Sequence, residues 1–211
     1  MKKLYFIISS IIFLCFGSLQ AQTTVPGGTL TSNTTWSITG SPYLIQGDVT
    51  VPVNLTLTIQ PGVIIKFADY WTGINVSGSL QAIGTINDSI VFTSIKDDAH
   101  GGDSNGDGTS TSPGSDQWSA IQYLAGSSGS LKYCFIGYAG GEGSASINVF
   151  ESSANIEYNT IAYSKERGIY VENASPDINS NVIKNNITEG IYINGLDASK
   201  ALSLSNNVFL N

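Results

Sequence analysis

The chain has 211 residues, with 16 acidic side chains against 9 basic ones, a formal net charge of −7, 23 glycines and one histidine. That balance excludes nucleic-acid binding, which needs clustered Lys and Arg to release counterions. Only Cys134 lies beyond the apolar leader that holds Cys15, so a disulfide framework is excluded as well.

Residues 1–21 read as an export signal: Lys2 and Lys3, an apolar run from Leu4 to Phe16, then Gly17 to Ala21 with a small residue at the cut. The run is shorter than the roughly 20 apolar residues a bilayer crossing needs. No later stretch is long enough either. The mature chain is therefore expected to be exported, to the periplasm, cell surface or medium, without a membrane span. Residues 22–48 place the turn-forming Pro26-Gly27-Gly28 ahead of Trp36, Ile38, Tyr43 and Ile45, and read as an N-terminal capping segment for the first edge of a stacked sheet.

From residue 49 the chain repeats. Val49 and Ile74, Val51 and Val76, Leu55 and Leu80, Leu57 and Ala82, Ile65 and Ile90, and Phe67 and Phe92 all lie 25 residues apart. The column continues through Ile121, Ile147, Ile169 and Ile191, and a second runs Leu131, Ile156, Ile178, Leu204. Short apolar alternations rich in β-branched residues and broken by Asn, Gly and Ser favour strands, and a repeat of this length means a solenoid. The offsets predict about six coils over 49–211, with three short strands per coil and an acidic loop inserted at 96–117.

Three copies of one pattern, Ile156-x-x-Asn159-x-Ile161, Ile178-x-x-Asn181-x-Ile183 and Leu204-x-x-Asn207-x-Phe209, close the chain, interleaved with Gly168-Ile169-Tyr170-Val171 and Gly190-Ile191-Tyr192-Ile193. On this period, the Asn column and the Gly-Ile-Tyr units, residues 49–211 resemble the right-handed parallel β-helix proteins, which include the pectate lyases and many secreted or surface proteins of bacteria. The resemblance implies an all-β right-handed parallel β-helix and no particular activity. Related exported proteins continue into more coils or a sorting domain. Only Leu210 and Asn211 follow Phe209, so a longer parent protein is expected.

Asn159, Asn181 and Asn207 share one place in successive coils, with Cys134 at that place in the coil before, which predicts a structural ladder of stacked amides ending on a small buried thiol. The loop segment Asp103-Ser104-Asn105-Gly106-Asp107-Gly108 matches the first half of a calcium loop, with oxygen ligands at alternate positions and Gly at the sharp turn. Gly114 stands where a bidentate Glu belongs, so Asp116 would complete a site with Asp103, Asn105 and Asp107; the competing reading is a solvated acidic loop. His100 in the same loop reads as solvated.

If Ile169 and Val171 point inward, Tyr170 and Tyr192 stack on the outer face, continuing a column with Asn148 and Gln122. Aromatic faces flanked by amides suit a polysaccharide; stacked tyrosines also stabilise neighbouring strands without any ligand. Arg167 aligns with Glu189 one coil on, as an exposed ion pair. The six Asn-x-Ser/Thr triplets, beginning at Asn33, Asn54, Asn75, Asn87, Asn173 and Asn186, would accept glycans only in a eukaryotic secretory route. The functional expectation is an exported structural or binding module, for carbohydrate. The alternative is a polysaccharide lyase or glycoside hydrolase, although no paired carboxylate pattern of the pectin-hydrolysing members is present.

Overall fold

A computed structural model describes residues 22–115, 117–141, 145–199 and 201–210. Residues 1–21, read from the sequence as an export signal, and Asp116 lie outside the described residues. The chain winds as a right-handed parallel solenoid of three sheets, and its only helical piece among the described residues is a single turn at Ile38–Gly40. One sheet has eight strands: β1 (Thr23–Val25), β4 (Tyr43–Ile45), β7 (Ile64–Phe67), β10 (Ile90–Ser94), β13 (Cys134–Gly137), β16 (Thr160–Ala162), β19 (Val182–Lys184) and β22 (Val208–Leu210). We call it sheet A. Sheet B contains β2 (Gly28–Thr29), β5 (Val49–Val51), β8 (Ile74–Val76), β11 (Ile121–Tyr123), β14 (Ala145–Phe150), β17 (Arg167–Glu172) and β20 (Ile191–Asn194). Sheet C contains β3 (Thr34–Trp36), β6 (Thr56–Ile59), β9 (Ser79–Ile83), β12 (Ser128–Lys132), β15 (Ser153–Glu157), β18 (Asp177–Asn179) and β21 (Ser203–Ser205).

Sheets B and C each count seven rungs, one more than the repeats predict, because residues 23–45 are themselves strands of the stack. The columns fall in register: Ile74, Ile121, Ile147, Ile169 and Ile191 pair in turn across sheet B, and Leu131, Ile156, Ile178 and Leu204 across sheet C. Side chains alternate in and out along each strand, so these columns, up to Ile191 and Leu204 on the last rung, and Leu57, Ile65, Phe67 and Phe92 fill the interior; Ile191 is half-buried and Leu204 exposed. Each buried Ile or Leu contributes roughly 1.5–3 kcal/mol relative to exposure.

Between the coils that begin at Val49 and Ile74, the 25-residue offset holds only on sheet B. Leu57 pairs with Leu80 and Ile59 with Ala82, while Ile65 pairs with Phe92 and Phe67 with Ser94. The corner between Val51 and Leu57 is two residues longer than the one between Val76 and Leu80, and the corner between Ala82 and Phe92 is four longer than that between Ile59 and Ile65. Each slip is even, so the inward set stays inward.

The corners use left-handed backbone. Tyr133, Tyr158, Ser180 and Asn206 precede the sheet A strands with φ of 51°, 56°, 59° and 55°, and Tyr138, Tyr163 and Asn185 follow them with φ of 66°, 60° and 54°. Behind the first of these corners runs the amide column. Asn159 Oδ1 accepts from the Cys134 N–H at 2.9 Å, Asn181 Oδ1 from the N–H and Nδ2 of Asn159 at 3.0 Å each, and Asn207 Oδ1 from the N–H and Nδ2 of Asn181 at 3.0 Å each. Each Nδ2 also donates inward, to the carbonyls of Leu131, Ile156 and Ile178. Cys134 is buried, and burial pushes its thiol pKa far up, so it is an inert thiol in the folded chain.

Among the described residues no helix is long and apolar enough to cross a membrane. Leu204, Val208, Phe209 and Leu210 on the last described rung are exposed.

Candidate functional site

The acidic loop leaves sheet A after Ser94 and folds back over that sheet's outer face. Lys66, on β7, points outward and would meet solvent in a bare solenoid. Here it is fully buried, and its Nζ donates to the carbonyls of Asp97 at 2.8 Å and Gly102 at 2.5 Å. Burial lowers the Lys66 pKa against the opposing fields of Asp97, Asp98 and Asp103. Asp97 is buried too, accepting from the Thr93 hydroxyl at 2.6 Å and lying 2.7 Å from His100 Nδ1. Burial alone would raise its pKa, but the bonds to His100 and Thr93 outweigh that and hold the carboxyl below its usual value. At the far end, Trp118 sits in the core, stacked on Phe67 with centroids 4.1 Å apart, its Nε1 donating to the Gly137 carbonyl at 2.8 Å.

Between these anchors lies the predicted cation sequence. Asp103 shapes the turn, its Oδ1 accepting from the N–H groups of Gly106 and Asp107 and its Oδ2 from that of Gly108. Asn105 Nδ2 and the Thr111 hydroxyl both donate to Asp107 Oδ2, at 2.8 and 2.5 Å, and the Thr111 bond is the main cause holding the Asp107 carboxyl below its usual pKa. Three oxygens are left buried with no hydrogen-bond partner: Asp98 Oδ1, Asn105 Oδ1 and Asp107 Oδ1. One oxygen from each of Asp98, Asp103 and Asp107 lies within 4.8 Å of the others. Oxygens ligating one calcium at 2.3–2.6 Å stand at most roughly 5 Å apart, so the residues present fit such an ion. The donors are all hard oxygens, which suits calcium rather than a transition metal.

Asp98 joins the cluster although the sequence motif did not include it, since it precedes the alternating run; Asp116 lies outside the described residues. His100 is not simply solvated: besides Asp97, its ring stacks on Phe135 with centroids 5.0 Å apart.

On sheet B the register brings Gln122, Asn148, Tyr170 and Tyr192 into one column. Asn148 is fully buried and offers no surface, whereas Tyr192 is exposed. Tyr170 and Tyr192 stack with centroids 5.8 Å apart at 5°, the Arg167 guanidinium lies 4.8 Å from the Tyr192 ring, and Arg167 pairs with Glu189 at 3.1 Å.

A second aromatic surface, on sheet A, was not legible in the sequence. Tyr133 stacks on Tyr158 at 5.2 Å and Tyr138 on Tyr163 at 5.0 Å, one pair at each corner of β13 and β16, with Phe135 on the strand between them. All four tyrosines are in the left-handed region. That conformation costs a non-glycine residue about 1–2 kcal/mol, so roughly 4–8 kcal/mol in all, while each stacked pair returns about 0.5–1.5 kcal/mol. Asn, which holds the same corners at Asn185 and Asn206, tolerates that backbone at lower cost. Stacking alone therefore does not offset the backbone cost of tyrosine here.

A stretch of 83 residues, 39% of this chain, is 37% identical to part of Protein bark beetle from Drosophila melanogaster, and spans 3% of that protein's length. No known family profile matches the chain, and no solved structure does.

Proposed function

We propose that this chain is a calcium-clamped β-helical binding module that acts outside the cell. One observation carries the calcium part: the loop presents three buried oxygens without partners beside three carboxylates gathered within reach of one ion. Carboxylates held this close repel one another unless a cation sits between them, and Lys66 is already committed to two carbonyls. The ion's role in this reading is to fix the loop over sheet A, not to carry out chemistry.

Calorimetric melting with calcium and with chelator tests it. At a calcium concentration 100 times the dissociation constant, the stabilisation is about 2.7 kcal/mol, or roughly 5–11 °C for a chain of this size. Asp98→Asn combined with Asp107→Asn removes the rise. These are better probes than Asp103, whose carboxylate also builds the turn. An identical melting temperature with and without calcium in the parent chain refutes the clamp.

The ligand reading is carbohydrate, supported by stacked tyrosine pairs on two sheets, of which Tyr158 and Tyr192 are exposed. Its test is incubation with uronate-containing polysaccharides, following binding, unsaturated-product absorbance and reducing ends. Binding without turnover is expected. Turnover would instead identify a lyase or hydrolase, for which the hollow bordered by Glu151 and Asp197 is the first place to mutate.

A further inference from the structure

The aromatic surface of sheet A runs along the strand direction between two corners. Tyr133 and Tyr158 stand at one side and Tyr138 and Tyr163 at the other, about 16 Å apart along the chain at the strand rise per residue. Between them the Phe135 ring lies over Gly137, where an added Cβ would meet it at 2.6 Å, so the ring is laid along the sheet. Phe135 meets Tyr138 edge-on at 6.4 Å and His100 face-on at 5.0 Å, which makes the strip continuous with the root of the acidic loop. Tyr158 is 47% exposed, so its ring has a face to offer.

Charge selects the ligand. In a chain of net charge −7, cations border this strip. Lys132 Nζ lies 5.7 and 5.0 Å from the Tyr133 and Tyr158 ring centroids, its ammonium shared with Glu157 at 3.5 Å. Lys184 occupies the outer position one rung beyond Ala162, beside Asn185, and among the described residues its ammonium makes no ion pair or hydrogen bond. Aromatic faces at both ends with an uncommitted ammonium alongside are complementary to pyranose rings that carry carboxylates.

We propose that the sheet A strip binds a carboxylated glycan chain laid along β13 and β16, its sugar faces on the two tyrosine pairs and a carboxylate at Lys184. The proposal rests on the carbohydrate reading above and moves the site from the Tyr170–Tyr192 column to this face. It also accounts for aromatic residues at left-handed corners where Asn would sit more easily.

The experiment is isothermal titration of the full chain with a long oligogalacturonate, with a cello-oligosaccharide as the neutral counterpart, alongside thermal melts of every variant. The parent chain is expected to bind the uronate chain at least tenfold more tightly than the neutral one. Tyr158→Asn with Tyr163→Asn weakens that binding at least tenfold and leaves the melting temperature unchanged or higher. Lys184→Gln weakens uronate binding and leaves any neutral binding as it was. A lower melting temperature with unaltered binding in the tyrosine variant shows that the stacks only brace the rungs, and overturns the proposal. Loss of binding in Tyr170→Ala with Tyr192→Ala, but not in the sheet A variant, keeps the carbohydrate reading and overturns this site. Equal affinity for both oligosaccharides overturns the charge assignment, and no binding of either overturns the carbohydrate reading itself.

Discussion

Replacing Asn181 by Ala tests the physical account of the amide column. Asn181 has no exposed surface, and its side chain makes four hydrogen bonds: it accepts from the N–H and Nδ2 of Asn159 and donates to the Ile156 carbonyl and Asn207 Oδ1. Alanine leaves the Asn159 N–H without its acceptor and takes the amide donor from the Ile156 carbonyl, both in the interior. A buried backbone group stripped of its partner costs about 1–3 kcal/mol, so the loss is roughly 2–6 kcal/mol before any cavity is counted. Asn207→Ala is the control. It removes the same chemistry from a half-buried rung where water can replace the amide, and is expected to cost about 1 kcal/mol or less. Because solenoids open rung by rung, urea melts are best paired with amide hydrogen exchange, in which the Asn159 proton loses protection in Asn181→Ala. Equal stability losses for Asn181→Ala and Asn207→Ala, with Asn159 still protected, would refute the reasoning.

Three further outcomes follow from burial and close contact. Lys66→Met removes the ammonium that ties the loop to sheet A, so limited proteolysis should cut within residues 98–115 faster while the far-ultraviolet circular dichroism of the sheets is unchanged; equal resistance would mean that Asp97 and Trp118 suffice. Tyr123 is wholly buried with a hydroxyl that has no partner, so Tyr123→Phe is expected to stabilise by about 1 kcal/mol, read as a melting temperature some 2–4 °C higher, and a fall would refute it. Gly129 has φ of 148°, and a Cβ there would lie 2.1 Å from the Leu80 carbonyl oxygen, so Gly129→Ala should part β12 from β9, with a loss of at least about 1–3 kcal/mol from backbone conformation alone. A soluble, fully stable alanine variant would contradict that.

Much of the architecture was legible because alternation of β-branched residues fixes which side chains face inward, and because Ile121, Ile147, Ile169 and Ile191 recur at steps of 26, 22 and 22 residues. On sheets A and C the pairing of the first two repeats was not, since corner length is invisible to a search for one constant offset: Leu57 finds Leu80, not Ala82. That residues 23–45 themselves supply strands of the stack was not legible, because Gly28–Thr29 is too short and polar to show alternation. At the loop, the alternating Asp103, Asn105 and Asp107 were readable as a motif. Asp98 was not, because its place beside them depends on how Lys66 and Asp97 fold the chain back. The tyrosine corners escaped for a similar reason: nothing in Tyr133 or Tyr158 as letters announces a left-handed backbone.

The apolar interior has a weakness that the mistaken pairings expose. Ile65 opposite Ile90 would be as oily a contact as Ile65 opposite Phe92, so a coil displaced by two residues keeps its inward set and loses little of its burial. What separates the two alignments is a feature that cannot be moved by two places without being broken. Each amide in the column hands its Nδ2 hydrogen to the oxygen of the next, always in the same direction along the rod. The column thus works as an index pin as well as a brace: it marks which residue is the first of every coil and gives the stack a head and a tail. Coils before Cys134 have no such mark, and there the alignment falls to aromatic shape, with Trp118 locked on Phe67 and Trp36 on Tyr43. A chain in which Asn159, Asn181 and Asn207 were all made apolar would therefore be expected to remain a solenoid but lose its single thread count, as rungs settle into competing alignments of nearly equal energy.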